Sequence, residues 1–532
     1  MRPELRIARG ACVALVVAVA AATACKTNTI DASATTIEAP DGGPIVVVAP
    51  DADVEQPDAA LSLVRGARAA VRVGSSVTVE VALDRRGPPV DVALTAMGLP
   101  KGVTFTSDPI SSAVSTGKIT FTAAADAVRG AATVTLSGNG IEPGKVDLLV
   151  HGLPGEIDTS FGGGTVLSPT GTFSTLAIAP DGKVIVGGLD GTKWLVRRFD
   201  TAGNADTAFD TAAAAAMPDG GEVNAVTVDA ASGAVLVAGS SSPGDGGPVQ
   251  ATIVRLAPSG AADATFGAGG RVVLPTAAAG TVDDLVSSSA GVWLVGFSGA
   301  SFVRKLDPDG TEDASFTRYD SPASYRLRGI GFAAPSASVS PGSLVLGGQA
   351  TVSVDGGPTR VRPTVIRLLA SGAPDLNFAT TPPGTRFYTE LHTAGSVGIS
   401  PGGVAALVGT DQGGSQSAVL TRVDTSGSMW DAFGGAGNGV TRKLGTMRSD
   451  DLAYLSWGEG TVDTALNIQR HLADGGLDVG FATGGTLKIE DPTSPDGYKW
   501  LASGLRSSAG TLYVVGARTG TSAGAFLMRI WD

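Results

Sequence analysis

The side chains whose types and spacing could do chemistry in this 532-residue chain are carboxylates and cations set at fixed intervals. Asp158, Asp206, Asp263, Asp313, Asp375 and Asp478 each stand three residues before a phenylalanine: Phe161, Phe209, Phe266, Phe316, Phe378 and Phe481. A seventh phenylalanine, Phe433, has Trp430 in the acid's place. Eleven residues upstream of each phenylalanine after the first stands a base: Arg198, Arg255, Lys305, Arg367, Arg422 and Arg470. A guanidinium and a carboxylate at constant separation form a charge-assisted hydrogen bond, and the benzyl ring beside them buries apolar area. A catalytic centre occupies one place in a molecule, whereas this pair returns in almost every unit. It therefore reads as a structural latch. Arg529 is a further base with no downstream motif, so its partner is expected to be Asp158, from the far end of the repeat.

Other reactive groups are sparse. His151, His392 and His471 stand apart, with no metal-type spacing, and read as incidental. No nucleophile elbow, zinc-protease helix motif or phosphate loop occurs. Asp307 to Asp313 has the acidic look of a calcium loop but lacks the glutamate at the twelfth position, so it reads as a solvated turn. The expectation is no catalytic residue, no metal and no cofactor.

The elements that position the latch follow from the spacing. Successive motif phenylalanines are 48, 57, 50, 62, 55 and 48 residues apart, a period near fifty that marks a repeat protein. The invariant eleven-residue step contains a glycine (Gly203, Gly260, Gly310, Gly372, Gly427 or Gly475) and admits no insertion, so it forms a rigid corner. The first unit shows four short strands, Gly164 to Leu167, Thr172 to Ala179, Lys183 to Gly187 and Trp194 to Phe199, with a Pro180-Asp181-Gly182 turn between the second and third. Helical periodicity is absent throughout. Seven such units predict an all-β fold, a seven-bladed β-propeller over 152–532. First strands such as Val166, Val272 to Leu274 and Val440 are expected to be innermost and are apolar, which argues against a polar central site. Two longer loops, Ser240 to Val249 and Ala350 to Arg360, fall between equivalent strands and offer a ligand surface on one face.

The units resemble those of the bacterial delta-60 repeat proteins, through Asp158-Thr159-Ser160-Phe161-Gly162 and Pro180-Asp181-Gly182-Lys183. Later units depart from that pattern: the fifth has Ser400-Pro401-Gly402-Gly403, and the sixth lacks both the turn and the aspartate. The resemblance implies a propeller and carries no catalytic residue.

Upstream, 1–24 combines arginines with a short apolar run and reads as an export signal. Cys25 follows Ala22-Thr23-Ala24, as in a lipoprotein, and is the expected lipidation site. The segment 25–58 has the composition of a disordered tether. Strands at Ser76 to Leu83, Val90 to Thr95, Val103 to Thr106, Lys118 to Thr122, Thr133 to Ser137 and Lys145 to Val150 predict an immunoglobulin-like sandwich over 59–151. Met97 to Val103 resembles a step common in bacterial Ig-like spacer domains. Cys12 falls in the signal, so no intramolecular disulfide is expected.

The net charge of -12 excludes nucleic acid as a partner, since phosphate binding needs a clustered positive face. The expectation is an exported, lipid-anchored, monomeric protein of the cell envelope and outer membrane, or a secreted one if Ala22-Thr23-Ala24 is an ordinary cleavage site and Cys25 is not lipidated. It would bind an unidentified protein or glycan at the cell surface without catalysis. The alternative is an extracellular hydrolase or lyase working in the propeller's central pocket.

Overall fold

The computed structural model describes residues 59–532, with two strands upstream (Thr36–Glu38 and Pro44–Val46). Outside the described residues lie 1–35, 39–43, 47–58, 64–67, 86–89, 244–246, 276–278, 337, 354–356, 358, 381, 389–395, 401–402, 411–416, 439–441, 445–452, 459–464, 473–475, 491–499, 509 and 519–523. The signal segment, Cys25, His392, Val440, Gly475 and the tips of both long loops are among them. Within the expected tether, Thr36–Glu38 and Pro44–Val46 pair antiparallel. Among the described residues no helix is long and apolar enough to cross a membrane.

Two sheets form the N-terminal unit. One orders its strands Ile141–Glu142, Ala59–Leu63, Ser76–Arg85, Thr116–Ala123 and Val103–Ser107; the other orders Arg68–Arg72, Gly144–His151, Gly130–Ser137 and Thr95–Met97. Burial alternates along strands such as Thr116–Ala123, Gly130–Ser137 and Gly144–His151, and the inward set, including Val81, Ile119, Phe121, Val134, Leu136, Leu148 and Val150, makes one core. The expected strand at Val90 to Thr95 is not formed: only Val92 bridges to Ile110, and pairing resumes at Thr95. Pro88 and Pro89 precede this stretch and supply no amide donors.

Seven antiparallel sheets follow in chain order. Their first strands are Thr172–Ile178, Glu222–Val228, Thr281–Ser288, Tyr325–Phe332, Ser396–Ile399, Arg442–Leu444 and Trp500–Ser508. These contact one another in sequence, and the last contacts the first, which closes the circuit. Radial sheets around a channel make this part of the chain a β-propeller.

The phase of the repeat differs from the sequence reading. Thr165–Ser168 does not pair with the strands that follow it; it pairs with Gly524–Trp531, Thr165 opposite Met528 and Ser168 opposite Ala525. Likewise Arg271–Val273 is the outer strand of the preceding sheet. Val166, Val272 and Val273 therefore stand on outer strands, and the channel is lined by the strand that follows in each unit. A strand that leaves an Asp-x-x-Phe corner finds its free edge on the sheet just completed, because the corner reverses the chain there.

The corner itself is a single capped turn. Asp158, Asp263, Asp313, Asp375 and Asp478 each accept, through one carboxylate oxygen, the amide two residues on, at 2.7–3.0 Å. Where glycine follows phenylalanine the turn stops, with Gly162 and Gly267 at φ 55° and 54°. The second unit has Asp210-Thr211 and five alanines instead, and here Asp206 caps a helix, Thr207–Ala216. The expected absence of helix fails at this place because alanine continues what glycine terminates. The helix stands where other sheets have an outer strand, so the first sheet has three strands. Asp210 accepts the edge amide of Arg198 at 2.9 Å, and burial pushes its carboxyl up.

In the last unit Ala482 occupies the glycine position, the one non-glycine residue with positive φ among the described residues, at 47°. Ala482→Gly is expected to stabilise the protein by about 1 kcal/mol, read as a higher denaturant midpoint at unchanged slope. An unchanged or lower midpoint would show that this corner is unstrained.

Candidate functional site

The latch residues meet in six of the seven units. Carboxylate-to-cation distances are 2.7 Å for Arg198 with Asp206, 2.8 Å for Arg255 with Asp263, 2.5 Å for Lys305 with Asp313 and 2.8 Å for Arg367 with Asp375. They are 2.7 Å for Arg470 with Asp478 and 2.5 Å for Arg529 with Asp158. Each arginine also lies over its own motif ring, Phe209, Phe266, Phe378, Phe481 or Phe161, at 4.1–5.0 Å. Lys305 lies over Trp293 instead.

A third arm, not legible in the spacing, ties neighbouring sheets. Arg198 donates to the Pro258 carbonyl at 2.6 Å and Arg529 to that of Thr201 at 2.7 Å; Arg255 reaches Pro308 and Arg367 reaches Thr425. Those acceptors lie in the next unit's glycine turn. The turn glycines Gly203, Gly260, Gly310, Gly372 and Gly427 have φ of 82–92° and sit so close to the preceding motif that a Cβ would meet its atoms at 2.1–2.8 Å. Glycine is needed there for approach as much as for the dihedral.

In the sixth unit the corner is replaced by a strand, Met429–Asn438, which sets Trp430 opposite Arg422 and Phe433 opposite Leu420. The sequence offers Trp430 where the other corners have the capping aspartate, and the chain runs extended here. The side chains of Arg422, Trp430 and Phe433 lie outside the described residues.

The groups that sequence reasoning missed are on the inner strands. Five of these carry a β-bulge, between Phe173 and Thr175, Val223 and Ala225, Val282 and Asp284, Leu327 and Gly329, and Ala502 and Gly504. A bulge turns one extra side chain sideways. Ser174 Oγ donates to the Val223 carbonyl at 2.6 Å, Asn224 Nδ2 donates to that of Val282 at 2.9 Å, and Asp283 accepts from Arg326 at 2.8 Å. Each is a bond to the next inner strand. The signal was available as polar residues inside otherwise apolar strands.

The inner strands enclose a cavity of about 540 Å³ with Asp284 and Arg506 in its wall, beside Thr227, Ser400, Ser507 and Ser508. Asp284 accepts the amides of Leu285 at 2.8 Å and Ile330 at 3.1 Å. Burial pushes its carboxyl up to about 6, against the lowering influence of Arg506. The unfolded chain releases this proton near pH 4 and the folded chain near pH 6, so the group's contribution to stability falls as pH rises through that window and is flat above it. Asp284→Asn is therefore expected to raise stability at pH 8 by about 1–2 kcal/mol and to abolish the decline between pH 4 and 6. Denaturant melts across pH test this; a variant with unaltered pH dependence would show that another group titrates.

Neither His151 nor His471 lines this cavity. His151 packs on Trp531, ring centroids 5.0 Å apart, and burial lowers its pKa. His471 is buried in the sixth sheet. At the acidic turn, Asp309 accepts the amide and hydroxyl of Thr311 at 2.9 and 2.6 Å. Among the described residues no three His, Cys, Asp or Glu side chains stand close enough to hold a metal ion.

A family model described as a domain of unknown function (DUF5122), beta-propeller, matches residues 179–209 and 230–266. No curated protein matches the chain by sequence. Among solved structures the chain is similar to domains 4 and 5 of the S-layer protein SbsC, at 17% identity over 17% of this chain and 50% of that two-domain chain, with a TM-score of 0.14. It is similar to the beta-propeller domain of the Trilobed protease from Pyrococcus furiosus (9% identity, 69% of this chain and 95% of that one, TM-score 0.38). It is also similar to the polysaccharide lyase Uly1 (10% identity, 69% and 91%, TM-score 0.40). The two stretches matched by the family model span the same turn, strand pair and motif in consecutive units, and the chain carries a β-propeller.

Proposed function

We propose that the protein is a noncatalytic binding scaffold of the bacterial cell envelope, exported and lipidated at Cys25. In this reading an immunoglobulin-like sandwich spaces a seven-bladed propeller of delta-60 type repeats from the outer membrane, and the propeller channel takes a protein or glycan ligand. The observation that carries the reading is the channel wall, where Arg506, Asp284 and several hydroxyls converge from different sheets on one cavity. The test is an envelope-protein and glycan pull-down with the mature chain, beside Arg506→Ala, together with metabolic palmitate labelling of wild type and Cys25→Ser. Loss of capture in the arginine variant and loss of label in the cysteine variant are expected. Equal capture by both chains would remove the channel from the reading.

One observation favours a second reading, an extracellular hydrolase or lyase: the half-buried Asp284 carboxyl stands in the cavity wall, and desolvation there pushes it up to about 6, which suits a general acid or base. Turnover of a polysaccharide or peptide substrate that disappears in Asp284→Asn, with binding retained, would replace the scaffold reading by this one.

A further inference from the structure

The channel cavity lies toward one face of the disc. Its lining includes the last residues of several inner strands: Ile178 ends Thr172–Ile178, Val228 ends Glu222–Val228, Phe332 ends Tyr325–Phe332 and Ser508 ends Trp500–Ser508. The N-terminal sandwich stands on that same face. A space of about 330 Å³ separates the two, with Ala131 and Asp147 to Leu149 on the sandwich side. Its propeller side is made by Ile178, Val228 and Ser508 and by residues that follow each of them, Pro180, Ala230 and Thr511. The sandwich therefore overhangs the last, first and second sheets, which are consecutive in the ring. Arg506 is on one of these strands; Asp284, in the third sheet, is not.

The overhang is held from several directions. Arg129 donates to Glu156 at 3.0 and 3.3 Å, and His151 packs on Trp531. A Cβ on Gly510 would meet the His151 ring at 2.7 Å, and one on Gly152 would meet the Trp531 ring at 2.2 Å, so the two parts approach as closely as glycine allows. A hinge needs connecting residues free to change their dihedrals. Here the connection is bonded to the last two sheets: Gly155 donates to the Trp531 carbonyl at 2.7 Å, Trp531 to that of Glu156 at 2.9 Å and Ala482 to that of Pro154 at 2.8 Å. A globular partner needs about 800 Å² of open surface for a stable contact, and on this face the sandwich already occupies part of the rim. We infer that the sandwich is a fixed screen over the channel mouth, a specificity element that keeps globular partners off the side of Arg506 and admits small molecules or narrow chains.

Its use in recognition rests on the channel being the ligand site, but the screen itself is tested without a ligand. Single cysteines are placed at two inner-strand ends, Ser508→Cys beneath the sandwich and Ser288→Cys in the third sheet, in the mature chain with Cys25→Ser, which leaves no other thiol. The probes are N-ethylmaleimide and a maleimide carried on a polyethylene glycol chain. The small reagent is expected to label both positions. The polymer reagent is expected to label Ser508→Cys about tenfold more slowly than Ser288→Cys, because it must wait for the sandwich to undock. Arg129→Ala with His151→Ala removes two of the docking contacts and should narrow that gap several-fold; a retained cooperative melt shows that this variant is folded. Equal polymer rates at both positions, or a gap unchanged in the folded double variant, would overturn the screen and leave the channel reading standing. Failure of the small reagent at Ser508→Cys would show a sealed strand end and overturn it as well. The expected gap in a chain that captures no ligand would keep the screen and remove the channel reading.

Discussion

Arg529→Ala is expected to cost about 3–5 kcal/mol and to open the ring. Asp158 is fully buried, and its carboxylate is met by Arg529 Nε at 2.6 Å across 371 residues of chain. Removing the cation leaves a buried charge without its partner, a loss of that order in other proteins. The same guanidinium covers Phe161 and holds the Thr201 carbonyl, so stacking and the tie to the first sheet go with it. Thr165–Ser168 is the outer strand of the last sheet and comes from the other end of the repeat, so its release breaks the circuit rather than one sheet. The measurements are chemical denaturation and limited proteolysis in the 155–168 segment. Adding Asp158→Asn to Arg529→Ala should recover part of the loss, because an amide needs no counter-charge. A cost below about 1 kcal/mol would show that strand pairing alone closes the ring.

Arg367→Ala should be comparably severe, about 3–5 kcal/mol, and Lys305→Ala much milder, about 1 kcal/mol. The side chains of Arg367 and Asp375 are 1% and 2% exposed, against 17% and 10% for Lys305 and Asp313. Arg367 also donates to the carbonyls of Thr425 and Ser338, while the ammonium of Lys305 has no planar fork with which to reach a turn and a carboxylate together. Denaturant midpoints of the two variants decide the matter. Equal losses would mean that the third arm contributes nothing and that the paired charge is the whole of the latch.

The constant eleven-residue step carried a large part of the architecture. Arg, the turn glycine and Asp-x-x-Phe are close in sequence, and their contacts are local, so spacing alone implied which of them meet. The helix at Thr207–Ala216 was also written locally, in the alanines after Phe209, but a repeat-wide expectation of strand masked it. Asp284 and Arg506 are different. They are 222 residues apart, and neither belongs to a recurring motif.

By itself, the sequence determined the period, the corner chemistry, the turn types and the need for Arg529 to find Asp158. The first three depend on backbone dihedrals and on side chains within a few residues of one another, and the last follows from the repeat, which leaves one base and one carboxylate unmatched at its two ends. Only the tertiary structure decided which strand faces the channel, because that depends on the edge to which each outer strand attaches, a pairing between units rather than within one. One strand of offset carries Val166 and Val272 outward and brings Asp284 and Arg506 inward, since neighbouring strands of a radial sheet differ in distance from the axis. The polar channel is a consequence of that offset.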